Sequence, residues 1–200
     1  MTNVLMRILD PIFGHPRGVA GRLGGVLMAR SNAEQECWVV EQAKLRDGEQ
    51  VLVVGHGPGL GLARAAEAVT PGGHVIGLDP SATMRDMATK RCASLIRAGS
   101  VEIREGSAEE IGCTDSSQDV AISVNNVMLW DRPAGFAELI RVLRPAGRLL
   151  VSVHRHVLDV DPDRLVDDAR SAGFADVQLS LRTRRFNSPA VELRARRPQM

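Results

Sequence analysis

The stretch Val51-Leu52-Val53-Val54-Gly55-His56-Gly57-Pro58-Gly59 constrains this chain more than any other, because four apolar residues run directly into three glycines at alternate positions. A short apolar run bounded by turn residues reads as a buried strand, and the residues after Gly59 read as a helix. A glycine turn between strand and helix lets the backbone approach a ligand closely. The helix N-terminus then offers that ligand unpaired N–H groups and a positive dipole end. Asp79 lies 20 residues beyond Gly59, at the end of the next apolar run. A carboxylate there can accept hydrogen bonds from two vicinal ribose hydroxyls. Together these residues predict a nucleoside-bearing ligand at the turn. The dinucleotide fingerprint needs glycine at relative positions 1, 3 and 6, and counting from Gly55, Gly57 or Gly59 the sixth residue is Leu60, Leu62 or Arg64. A nicotinamide dinucleotide is therefore not expected.

The Gly-x-Gly-x-Gly spacing resembles the first motif of the class I S-adenosylmethionine-dependent methyltransferases. Three further segments agree in order: Gly77-Leu78-Asp79-Pro80-Ser81, Glu105-Gly106-Ser107-Ala108-Glu109, and Asp119 to Asn126 followed by Leu143-Arg144-Pro145-Ala146-Gly147-Arg148-Leu149-Leu150. The resemblance covers about residues 48–198. It implies a Rossmann-like α/β fold, doubly wound, with a seven-stranded sheet that is mostly parallel and closes with a C-terminal antiparallel hairpin. The implied cofactor is S-adenosyl-L-methionine, leaving as S-adenosyl-L-homocysteine. Its implied contacts are Gly55, His56, Gly57, Pro58 and Gly59 of the loop, Asp79 and Pro80 at the ribose, and Met84 over the adenine face. Ser107 and Ala108 would meet the adenine edge, and Asn125 and Asn126 the methionine part or the methyl acceptor. Two positions depart from the family pattern. Val53 stands where the family usually carries an acid two residues before its first glycine, and Ser107 stands where Asp is frequent.

From Gln50 onward, strand-like runs near 51–54, 74–78, 101–104, 119–124 and 149–153 alternate with helix-like segments near 59–69, 81–97 and 133–143. Such alternation means a parallel sheet covered on both faces. Pro162 and Gly173 bracket another helix, and runs near 176–182 and 189–195 fit the closing hairpin. Arginines dominate residues 182–200, and their alternation with Val191, Leu193 and Ala195 predicts the outer face of an edge strand. Upstream, Ser31-Asn32-Ala33-Glu34 is a capping-box pattern, with Ala33, Cys37, Val40 and Ala43 or Leu45 following at near-helical spacing. Phe13 to Gly18 reads as a turn and Val19 to Arg30 as a weakly helical stretch, with His15 a further lid residue. Residues 1–47 are thus expected to form a helical lid and residues 48–200 the cofactor-binding domain.

A formal net charge of +1 gives no global pull toward nucleic acid or a membrane surface. The six arginines of the C-terminal segment lack the interleaved aromatics of an RNA-binding face. No run of 18 apolar residues exists, and Arg7, Asp10 and Pro11 interrupt the one stretch that a signal peptide would need. Cys37, Cys92 and Cys113 are odd in number and widely spaced, which fits a reducing cytoplasm and offers no zinc site. Asp159, Asp161 and Asp163 lack the glycine and glutamate of a calcium loop and read as negative charge before a helix.

The expected activity is methyl transfer to the oxygen, nitrogen or carbon of a small molecule. A general base is required only if the acceptor arrives protonated. The chain has no Tyr, so His154 and His156, alternating at the end of the fifth strand, are the base candidates. Two other readings share these motifs: a protein of the same fold that transfers no methyl group, and an RNA methylase.

Overall fold

The computed structural model describes residues 32–184 and 188–199. Residues 1–31, with His15, the expected turn at 13–18 and most of the expected lid, lie outside the described residues. The first described element is helix α1, residues 32–43. It is followed by β1 (Gln50–Val54), α2 (Leu60–Val69), β2 (His74–Leu78), α3 (Ala82–Arg91), α4 (Ala93–Arg97), β3 (Val101–Arg104) and β4 (Gln118–Val124). After a 3-10 turn at Val127–Leu129 come α5 (Arg132–Val142), β5 (Leu143–His154), α6 (Pro162–Ser171), β6 (Ala175–Arg182) and β7 (Ala190–Arg196).

The strands form one sheet in the order β3-β2-β1-β4-β5-β7-β6. Strands β1 to β5 run parallel, and β7 is antiparallel to both β5 and β6. The chain winds outward from β1 to β3, then returns to the other side of β1 with β4. That reversal opens a crevice beyond the carboxyl ends of β1 and β4, the place where such sheets bind ligands.

Period-2 alternation in β1 divides the core. Leu52 and Val54 face the layer of α5 and α6, with Phe136, Leu139 and Leu165, whereas Val51 and Val53 face α1 and α2, with Val39, Leu62 and Ala65. Phe136 has no exposed surface and meets Trp130 and Phe174 edge to face, with ring centroids 6.0 and 6.2 Å away. Helix α1 buries Gln35, Glu36, Val39, Val40 and Ala43 against the sheet. The expected stripe through Ala33 and Cys37 is therefore turned, and those two residues are only half-buried.

Three local expectations need correction. The helix expected over 81–97 is interrupted at Cys92, which leaves helical geometry (ψ 14°) and places its buried sulfur 3.8 Å from the Gly59 carbonyl. Strand β5 begins at Leu143 instead of near 149, because Gln118 pairs with Leu143 while Val120 pairs with Arg148, so the Leu-Arg-Pro turn forms an irregularity inside the strand. Strand β7 is not at the edge. It lies between β5 and β6, with Arg194 donating to Gln42 (2.9 Å) and stacking, like Arg182, on Trp38. Asp161 caps α6 through the Asp163 N–H (3.0 Å), in agreement with the reading of that acidic run.

Truncating Phe136 leaves a cavity among rings that cannot follow it. The Phe136→Ala variant is expected to lose about 3–5 kcal/mol of stability in urea unfolding, and a loss below 1 kcal/mol would contradict this packing.

Candidate cofactor cleft

The site begins where β1 ends. Gly55 and His56 donate their backbone N–H groups to the Leu78 carbonyl (2.8 and 3.3 Å), tying the exit of β1 to the exit of β2. Gly55, Gly57 and Gly59 lie at φ +69°, +53° and +85°, the left-handed region that glycine enters without strain. Gly55 is also required for space, since a Cβ there would stand 2.3 Å from the Asn126 side chain. The Gly57 position instead opens on free space.

Asp79 is held by this loop. Its Oδ2 accepts the Gly57 N–H and its Oδ1 the Ser81 N–H, both at 2.9 Å. Ser81, not Asp79, caps α3 by accepting from the Met84 N–H (3.4 Å). Only 6% exposed, Asp79 is pushed above the ordinary carboxylate value by burial, against the opposing pull of His56 and its two backbone donors. A carboxylate fixed by two N–H groups at the cleft wall keeps lone pairs for a hydroxyl pair.

A cleft of about 240 Å³ collects ten of the residues that the sequence singled out. Gly55, Gly57 and Pro58 form its floor, with Asp79, Pro80 and Met84 on one wall. Ser107 and Ala108 close one end, and Asn125 and Asn126 stand at the carboxyl end of β4. Asn126 accepts the Trp130 indole N–H through Oδ1 (2.6 Å), which holds Trp130 and the exposed Leu129 at the lip. Asn125, at φ +52°, accepts the His154 backbone N–H (2.8 Å) and donates to Gln35 of α1 (3.3 Å). The donor set fits an adenosyl ligand: a carboxylate for hydroxyls, open glycine backbone, an apolar thioether wall and a polar edge at Ser107.

Two loop residues contribute from outside the cleft. Gly59 packs its Cα against α3, where a Cβ would stand 2.8 Å from Ala88 Cβ. His56 is buried, with Nδ1 2.7 Å from the Gly57 carbonyl and Nε2 without a partner among the described residues. Burial pulls His56 below the ordinary imidazole value, despite Asp79 nearby.

The two histidines proposed as bases do not line the cleft. His154 is buried behind Asn125, with Nδ1 facing the Arg184 guanidinium (2.9 Å) and Nε2 facing Asn32 Oδ1 (3.2 Å). The guanidinium can only donate, so Nδ1 accepts and Nε2 carries the proton. Both nitrogens are thus committed to structure. His156 is exposed, with its ring centroid 5.4 Å from that of His154.

The residue that sequence reasoning missed is Glu36. It projects from α1 into the cleft, 9% exposed, and its Oε2 accepts the Gly61 N–H at the start of α2 (2.7 Å). Its signal was a carboxylate on the buried stripe with Val40 and Ala43.

Burial and the Arg184 charge pull His154 down to about 4. A histidine that stays neutral when folded but titrates near 6.5 when unfolded contributes stability that is complete above pH 6.5 and is lost as pH falls toward 4. The His154→Gln variant is expected to lose less stability than the parent between pH 7 and pH 5 in chemical denaturation. An identical loss would show that this imidazole protonates freely in the native state.

Comparison with known proteins gives this geometry a family. The sequence profile of a methyltransferase domain matches residues 51–147. The Bacillus subtilis protein named uncharacterized methyltransferase YdaC is 27% identical over 168 residues, covering 80% of this chain and 90% of that protein. The arsenite methyltransferase of Halobacterium salinarum is 34% identical over 158 residues, covering 69% of this chain but only 40% of that enzyme. Phosphoethanolamine N-methyltransferase 2 of Haemonchus contortus, solved with S-adenosyl-L-methionine, shares the fold with a TM-score of 0.73 at 18% identity, over 83% of this chain and 53% of that one. The chain therefore carries a methyltransferase domain at residues 51–147, with S-adenosyl-L-methionine as its cofactor.

Proposed function

We propose that this protein transfers the methyl group of S-adenosyl-L-methionine to a nucleophilic oxygen, nitrogen or carbon of a small molecule. The observation that supports this reading best is the fixed Asp79 carboxylate beside the open Gly57 backbone, at the switch point of the sheet. When bound, the cofactor supplies an electrophilic methyl group on a sulfonium. The chain's part is alignment and exclusion of water. Asp79 would hold the ribose hydroxyls, Met84 and Pro80 the adenine face, and Ser107 with the Ala108 backbone the adenine edge. Gly55 and the Asn126 amide would flank the reacting end. Leu129 and Trp130 form the lip through which an acceptor would enter. Among the described residues no helix is long and apolar enough to cross a membrane. The relatives named for arsenite and phosphoethanolamine support a small acceptor over a polymer. No general base is assigned to His154, because its ring has no free lone pair.

Replacing Asp79 by Ala removes the charged partner of the ribose and loosens Gly57. Calorimetry is expected to show affinity for S-adenosyl-L-homocysteine weaker by about 1–3 kcal/mol, and unchanged affinity would remove the ribose assignment. A screen of metabolite extracts with labelled cofactor is expected to yield labelled small molecules. Label found only in RNA would favour the RNA methylase instead.

A further inference from the structure

We propose that Glu36 is the carboxylate that receives the cationic amino group of the cofactor's methionine arm, standing in from helix α1 for the acid that Val53 replaces on β1. This assignment rests on the cofactor reading above.

Three acids line the cleft, and two are placed elsewhere. Asp79 stands at the ribose position. Glu109 lies beside Ala108 at the adenine end and accepts the Asp131 N–H through Oε1 (2.7 Å). Glu36 lines the cleft from α1, and with Gly55 and Val124 it also lines a second, smaller pocket, which sets it beside Gly55. An arm extended from the ribose past Gly55 would meet that carboxylate. The ligand brings an ammonium and a sulfonium, and a buried cation without an anionic partner is costly.

The second support is the packing around Val53. Glu36 and Val53 line the same small pocket of about 20 Å³, together with Gly55, His56 and Gly61. A carboxylate from α1 thus stands beside the β1 position that carries none. Gly61 makes the approach possible, since a Cβ there would stand 3.3 Å from Glu36 Oε2. Through Oε2 the carboxylate fixes the first turn of α2, while Oε1 accepts no hydrogen bond from a described residue. The groups facing it are the Gly61 N–H, the Arg91 charge from α3 and His56 across the small cavity. Burial pushes Glu36 up to about 7, so at neutral pH it is poised between acid and carboxylate, and a cationic ligand beside it would draw it to the carboxylate.

The test is a cycle of two proteins and three ligands in calorimetry. The ligands are S-adenosyl-L-homocysteine, its analogue with the amino group replaced by hydrogen, and 5′-methylthioadenosine, which lacks the whole amino-acid arm. Wild type is expected to bind the deaminated analogue about 10- to 100-fold more weakly than the parent compound. Glu36→Gln is expected to abolish that preference and to leave 5′-methylthioadenosine binding within about twofold. Where Glu36→Gln does not fold, Glu36→Asp, which withdraws the charge by one methylene, is expected to shrink the preference in the same way. A preference that survives in the variant, or a wild type that binds S-adenosyl-L-homocysteine and its deaminated analogue equally, would overturn the assignment. Equal weakening of all three ligands would overturn it too, by reducing Glu36 to a brace for α2. Failure of wild type to bind even 5′-methylthioadenosine would remove the cofactor reading as well, and so is distinguishable from failure of Glu36 alone.

Discussion

The exit of β1 is tied to the exit of β2 by three backbone donors, and the cleft depends on that tie. Gly55 and His56 reach the Leu78 carbonyl, and Gly57 reaches the Asp79 carboxylate. These contacts fix the loop in left-handed geometry, aim the start of α2 and hold Asp79 at the wall. They also explain why the loop tolerates so little side chain: Asn126 fills the space over Gly55, and α3 fills that beside Gly59. A loop clamped in this way has its ordering cost met by folding, so a ligand that docks on it has less conformational freedom to remove.

The electrostatics follow from the same layout. Asp79 and Glu36 lie on opposite sides of the glycine floor, each accepting a backbone N–H, and burial raises both above the ordinary carboxylate value. On the proposed assignments, carboxylates held in this state would respond to what arrives: hydroxyl donors at one, positive charge at the other. Behind them, the Arg184 side chain has no exposed surface and joins Glu34, Gln35 and His154 into a network that seats α1 on the sheet. Helix α1 is therefore part of the cleft wall and not only a cover over it.

Local pattern made much of this legible in the sequence. The strand at 51–54, the glycine turn and the Asp79 position are set by neighbours within a few residues. Period-2 burial and turn chemistry report such features directly. Elements governed by distant contacts were harder to read. The placement of β7 inside the sheet depends on β6 supplying the edge, which charge alternation alone misjudged. The role of His154 depends on Arg184 and Asn32, remote in sequence, and a strand-end histidine looks the same whether it faces a cleft or a guanidinium. Glu36 was hidden for a similar reason. Its partner Gly61 lies 25 residues away, and a carboxylate on α1 reads as solvated surface unless the buried stripe is phased correctly.

The most direct measurement is a crystal structure of the complex with S-adenosyl-L-homocysteine. The adenosyl group is expected over Gly57, with the ribose hydroxyls on Asp79, the adenine between Met84 and Ser107, and the amino end at Glu36. Ligand density elsewhere on the surface, or a glycine turn covered by protein side chains with no ligand at all, would contradict it.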